Sequence, residues 1–320
     1  MTAPTNVFDT YESIGNREDL SDMIWDVSPS ETPFLSAIGK TKAKATNHEW
    51  QTDSLGAAGA NAKLEGDDAT ALDLASTTRL GNYTQILTKN LATTGTQEAI
   101  DKAGRKSEMA YQLAKAMKQI KMDIEWAMID GGGAGGIGNA KVSTNLTTAR
   151  EMASIQTYLT SNASVGATTG AVATGDGTDT MTAGTARNLD ETLLTTVLQS
   201  AYTNGGNPKI LFVSPTNKGV VSTFTGGGTH YVDKDNKKLV NSVDVYIGDF
   251  HTLKVMPSRQ LANEIVLAID PEYVACAELR PVSVKDLSVT GDSMKKQVLS
   301  ECTLEVRNEA AHAIIADTNG

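Results

Sequence analysis

Between residues 96 and 129, Ile100, Ala103, Ala110, Leu113, Met117, Ile120, Ile124 and Ala127 recur at spacings of three, four and seven. This is the apolar stripe of an amphipathic helix, and no proline interrupts it. Thr94 and Gln97 stand at capping-box spacing, and Glu98 and Asp101 suit the positive end of a helix dipole. At about 1.5 Å per residue the stretch predicts one helix about 50 Å long, well beyond the average. Bulky residues do not sustain a heptad, so the pattern argues against a coiled coil.

The segment before it, residues 41–95, predicts two strand-like limbs around a loose tip. The first limb, AKATNHEWQTDS, is polar with a single Trp50. The second, TTRLGNYTQILTKN, alternates Leu80, Asn82, Thr84, Ile86 and Thr88 against Arg79, Gly81, Tyr83, Gln85 and Leu87. A long hairpin with so few apolar residues cannot be stable alone. The expectation is that it leans on something outside its own domain, a neighbouring subunit. Residues 1–40 predict an arm, in which 19–27 could form a short helix stopped by Pro29 and Pro33. Its Phe34, Leu35 and Ile38 need a surface to lie on.

Past residue 129 come the glycine run DGGGAGGIGN (130–139), a helical stretch expected over 147–160, and the Thr/Ala/Gly-rich segment 161–186, read as a surface loop or insertion. Residues 187–280 predict an α/β unit. Asn188 with Glu191 caps a helix ending at Gly205 and Gly206, KILFVSP is a buried strand, and VDVYIGDFHTLKVMPS is a strand pair across Gly248. NEIVLAID is a further strand stopped at Asp270-Pro271, and antiparallel strands follow from 281.

Composition narrows the functional classes. The chain has 320 residues with net charge −10 and only 5% aromatics, which suits extended architecture better than a deep aromatic pocket or a dedicated nucleic-acid reader. No run of eighteen apolar residues exists. Cys276 and Cys302 lie in strand-like surroundings and read as small core residues in a reducing, cytoplasmic setting. Gly131, Gly133 and Gly136 satisfy G-x-G-x-x-G, yet a dinucleotide site needs a strand before the run and a helix after it. Here a helix precedes, so the run reads as a helix stop and a joint. His48, His230, His251 and His312 are scattered singly, and DKDNKK (233–238) carries lysines where a calcium loop needs a ligand and a glycine. No catalytic residue, cofactor or metal is expected. Lys102, Arg105, Lys106, Lys115, Lys118 and Lys121 are offset by Glu98, Asp101, Glu108, Asp123 and Glu125, which favours a solvated face over a DNA-facing stripe.

The order of parts, together with VSPSETPFLSAIGK (27–40), GDFHTLKVMPSR (248–259) and LAIDPEYVACAELRP (267–281), resembles the Hong Kong 97-type (HK-97-like) major capsid proteins of tailed bacteriophages. The likeness runs from about residue 17 to the end. It implies an α+β fold with an N-terminal arm (1–40), an extended β-hairpin E-loop (41–95) and a spine helix with part of the peripheral (P) domain (96–160). After the insertion (161–186) follow the axial (A) domain (187–280, mainly) and C-terminal strands completing both domains (281–320). It further implies a structural protein whose hexamers and pentamers tile an icosahedral head around double-stranded DNA, first in the host cytoplasm and then in the virion. The implied partners are other copies, packaged DNA held non-specifically, a portal protein, a separate scaffolding protein and a decoration or cement protein, with no membrane. The scaffolding protein is expected to be separate because the 40 residues before the hairpin lack a heptad pattern. Phe34, Leu35, Trp50 and Tyr83 are the candidate intersubunit contacts, and Gly131, Gly133 and Gly136 the candidate hinge. The alternatives are an encapsulin-like nanocompartment shell and a soluble α/β phosphate- or nucleotide-binding enzyme.

Overall fold

The computed structural model describes residues 28–68, 71, 74, 76–130, 137–143, 147–224 and 244–319. The first described helix, α1 (Pro33–Ala37), leads into strands β1 (Gly39–Lys42), β2 (Asn47–Thr52), β3 (Thr78–Tyr83) and β4 (Gln85–Thr94). The amphipathic stripe that follows is split in two, α2 (Gly95–Ala99) and α3 (Glu108–Ile129). This corrects the expectation of one helix about 50 Å long, since the 22 residues of α3 span about 33 Å.

The break is written in polar groups. Thr94 caps α2 by accepting from the Gln97 N–H at 3.3 Å, as its spacing suggests. Ile100 is then extended and Gly104 adopts φ +74°, a left-handed conformation in the turn that separates the two helices. Ser107 opens α3 with a second cap, accepting from the Ala110 N–H at 3.2 Å. The Glu98 carboxylate reaches back to the N–H groups of Glu108 and Met109 at 3.0 and 3.4 Å, a negative charge placed at the positive helix end. The predicted stripe holds only in its second half: Ile120, Ile124 and Ala127 are buried, joined by Met109, Ala116 and Met128, whereas Ile100, Ala110 and Met117 are exposed.

The later elements are β5 (Ala163–Ser164), α4 (Glu191–Thr203), β6 (Ile210–Val213), α5 (Pro215–Val221), β7 (Val245–Ile247), β8 (Thr252–Pro257), β9 (Val266–Ile269), β10 (Val274–Asp286), β11 (Ser293–Val306) and β12 (Ala313–Ile315). They form a four-stranded sheet ordered β1-β10-β11-β4 and a six-stranded sheet ordered β5-β12-β9-β6-β8-β7, while β2 and β3 pair by themselves. The predicted strands around 210, 245–257 and 266–269 are all present, with β7 and β8 antiparallel across Gly248. Helix α4 does end at Gly205 (φ +82°), but its cap is Asp190, which accepts from the Leu193 N–H at 2.7 Å, and not Asn188.

Alternation along β6, β9 and β12 joins two cores. Leu211, Val213, Val266, Ala268, Ala313 and Ile315 face α4 and α5. Phe212, Leu267, Ile269 and Ile314 face the opposite way, into a larger core shared with α3 and the four-stranded sheet. Cys276 and Cys302 sit there as free, buried thiols.

Two further expectations are corrected. The helix expected over 147–160 is instead mostly irregular, with one 3-10 turn at Ile155–Tyr158, because its apolar residues are buried on all sides and not along a stripe. Residues 161–186 are not a plain surface loop. They supply β5 beside β12, and they place Ala173 and Met181 in the central core. Their glycines are packing residues: a Cβ at Gly166 would stand 2.2 Å from the Thr185 carbonyl oxygen, and one at Gly184 2.4 Å from that of Gly166.

Candidate functional site

The residues singled out in the sequence separate into interior and surface. Phe34 is fully buried, its ring centroid 5.6 Å from that of Phe212. Trp50 is 9% exposed and packs on Tyr158 at 5.8 Å. Both therefore pack inside their own chain, which leaves Phe34 no surface and Trp50 little surface for the contact between subunits expected of them. Leu35 and Tyr83 are half-buried. Gly131, Gly133 and Gly136 lie outside the described residues, as do His230, DKDNKK and the helix expected at 19–27. On either side of the glycine run stand α3 and Ile137, which bridges to Met181, so the strand–turn–helix frame of a dinucleotide site is missing.

The histidines serve separate local roles. His48 Nε2 lies 3.1 Å from Glu305, His251 contacts Asn207 and the Leu198 carbonyl, and His312 accepts from the Asp270 N–H. Among the described residues no three His, Cys, Asp or Glu side chains could hold a metal ion.

What the chain builds with care is the root of the hairpin. β2 and β3 pair in register from Asn47↔Tyr83 to Thr52↔Thr78. At Thr84 the chain leaves this pair, and β4 continues into the four-stranded sheet, matched to β11 from Gln85↔Cys302 to Thr94↔Ser293. The second limb is therefore two strands, and half of it finds inside its own chain the support expected from a neighbour. Asn82, fully buried, donates to the carbonyls of Leu304 and Ala153 at 3.0 and 3.1 Å and accepts from the Ala153 N–H at 2.9 Å. Lys141 Nζ donates to the Gly81 and Asp176 carbonyls at 2.8 and 2.6 Å, and the Tyr158 hydroxyl to Gly81 at 3.2 Å.

Two buried carboxylates lock the same root. Glu301 accepts from Arg280 at 2.6 Å, Arg150 at 2.7 Å and the Thr84 hydroxyl at 3.0 Å. Glu305 accepts from Thr41 and Arg307 and lies beside His48. The hydrogen bond to His48 contributes most to holding its carboxyl down at about 2, with those from Arg307 and Thr41 adding to it.

Beyond this root the character reverses. Residues 53–68 are exposed throughout, with one backbone turn bond, Asp67 N–H to the Leu64 carbonyl. Leu55 is 100% exposed and Leu64 and Leu74 are each 84% exposed. Sequence reasoning passed over these leucines because the tip lacks alternation. Their signal was three bulky apolar residues in an Ala/Gly/Asp stretch too polar to bury them. A second apolar surface lies where Ile86 and Trp126 stand exposed at the junction of β4 and α3, beside the Lys89–Asp123 ion pair at 2.6 Å. A rigid root carrying a solvated tip with exposed leucines can grip another protein.

The sequence model of the SU10 major capsid protein family matches residues 3–319. The chain belongs to that family. This SU10-family chain is 25% identical over 351 residues to the major capsid protein of Escherichia phage Phieco32, a match covering 100% of the chain and 99% of the relative. Its fold is that of phage capsids. A cyanophage A-1(L) capsid subunit superposes with TM-score 0.63 at 13% identity over 99% of this chain and 100% of that one. The capsid of a native GTA particle gives 0.63 at 12% identity over 97% and 98%. The major capsid protein of phage G, solved with its decoration protein, gives 0.54 at 10% over 99% of each. The HK-97-like α+β fold and the role of phage major capsid protein are thereby established. Neither the encapsulin-like compartment nor the phosphate-binding enzyme gains support from them.

Proposed function

We propose that this capsid subunit assembles as hexamers and pentamers into an icosahedral head around double-stranded DNA, and that the hairpin tip lies across a neighbouring subunit in each ring. The carrying observation is the contrast within residues 47–83: a root fixed by buried hydrogen bonds, and a tip whose leucines are open to water. Three fully or largely exposed leucines on a segment with no support of its own suit a protein contact, and many copies of a modest contact add up in a closed shell. Under this reading the working protein is a virion component, with the host cytoplasm as its place of assembly. A portal protein and a separate scaffolding protein complete the assembly set. A decoration protein, which accompanies the phage G relative, is a further partner to look for.

The test replaces Leu55, Leu64 and Leu74 by Asp together. The expected outcome is an unchanged thermal melt, because none of the three is buried, with loss of shells in negative-stain microscopy and sedimentation velocity. Shells at normal yield from that variant contradict the reading. Virions with tails and internal DNA density separate a phage head from a cargo compartment.

A further inference from the structure

The charges of α3 are distributed differently in space than along the sequence. Its acids are committed: Glu108 pairs with Arg105, Asp123 with Lys89, and Glu125 is buried. Glu98, just upstream, is taken by Lys102 and the start of α3. Lys115, Lys118 and Lys121 are exposed and, among the described residues, none of them has an ion pair, although Lys115 lies over the Tyr111 ring at 5.7 Å. A local cationic face therefore stands on a chain of net charge −10.

Next to this face is a groove of about 220 Å³ lined by Ser28, Pro29, Ser30, Lys115, Lys118, Gln119 and Met122. It is smaller than a cofactor pocket and of a size for one large side chain. It opens where the described chain begins, at Ser28. The preceding 27 residues carry Asp9, Glu12, Glu18, Asp19, Asp22 and Asp26 against the single basic Arg17, a net charge of −5, half that of the whole chain. Trp25 stands three residues before Ser28, a reach of about 10 Å.

We propose that this groove is the docking site for the chain's own acidic segment, residues 21–27, with Trp25 against Pro29 and Met122 and with Asp22 and Asp26 facing Lys115 and Lys118. An indole among lysine side chains gains both apolar contact and cation–π attraction. The short tether gives a high effective concentration, so individually weak ion pairs suffice. Double-stranded DNA is the competing occupant of a basic face, but phosphate contact calls for no apolar groove and does not explain the acidic segment ending beside it.

The experiment is zero-length carbodiimide cross-linking of the full chain, in shells assembled from an equal mixture of light- and heavy-nitrogen subunits. Peptide mass spectrometry then maps the links, with the Lys89–Asp123 pair as the internal positive control. The expected result is Asp22 or Asp26 joined to Lys115 or Lys118 in peptides of one isotope only. Lys115→Glu with Lys118→Glu should abolish these links, and Asp22→Lys with Asp26→Lys in the same chain should restore them. Absence of the links while the control forms overturns the proposal. Mixed-isotope links overturn it in favour of a second copy. A short DNA duplex that binds the unmodified protein, blocks the links and fails to bind the Lys115→Glu, Lys118→Glu variant overturns it in favour of nucleic acid.

Discussion

Glu125, near the C-terminal end of α3, accepts the Leu35 N–H at 3.2 Å and thereby holds the first described helix against the long one. The Ser258 hydroxyl approaches the same carboxylate at 3.4 Å. Three segments remote in sequence thus meet at one fully buried acid.

Burial, only partly offset by these hydrogen bonds, pushes the Glu125 carboxyl up to about 7. Because the folded value lies above the unfolded one, the native state binds the extra proton and stability falls as pH rises from about 4.5 to about 7. Glu125→Gln keeps an acceptor for Leu35 and removes the buried charge. We expect it to flatten this pH dependence and to stabilise the protein by about 1–3 kcal/mol above pH 7. Denaturant titrations at pH 5 and pH 8 check this, and equal effects at the two pH values would count against it.

Glu305 has the opposite sign. With its carboxyl held at about 2, its contribution is complete above its ordinary value near 4.5 and is lost as pH falls toward 2. Glu305→Gln should therefore cost about 1–3 kcal/mol at neutral pH and progressively less in acid. Chemical denaturation followed through the acid range reads the difference.

Asn82 makes three hydrogen bonds to backbone groups of Ala153 and Leu304 with none of its own surface exposed. Asn82→Leu should cost about 2–4 kcal/mol, because it strands buried N–H and C=O groups. The loss appears as a lower urea midpoint, and Asn82→Asp should recover only the bond from the Ala153 N–H.

The glycine run carries an assembly prediction. Gly133→Val and Gly136→Val are expected to reduce shell yield by sedimentation while calorimetric titration with ATP shows no binding by either variant or parent. Gly138, near the end of the run, is constrained by the fold itself: φ is +85° and a Cβ would stand 2.6 Å from Ser154 Oγ. Gly138→Val should destabilise the fold itself by about 2–4 kcal/mol, seen as a lower melting temperature.

Legibility followed local information. β6 was readable because ILFV is short, wholly apolar and bounded by Pro208 and Pro215, and the β7–β8 pair because Gly248 marks its turn. The spine was half readable. Its stripe was correct only from Ile120, and Ser107 and Gly104 compete with the Thr94 cap, so that only contact between Glu98 and the second helix start decides for two helices. Residues 147–160 misled because uniform burial leaves no period to read. The interior of Phe34 and Trp50 was invisible for another reason: Phe212 and Tyr158 lie more than a hundred residues away along the chain. The leucines of the tip were legible as residues and not as a surface, since exposure belongs to the fold.

Only Thr84 separates β3 from β4. A pull on the hairpin tip, such as internal pressure would exert through a gripping neighbour, therefore enters β4 at its end and runs along its length. The ten matched positions between β4 and β11 then bear the load side by side, as a lap joint bears shear, instead of opening one after another like a zip. Among the described residues the two longest strands are β10 and β11, and β11 forms one side of that joint while β10 pairs behind it.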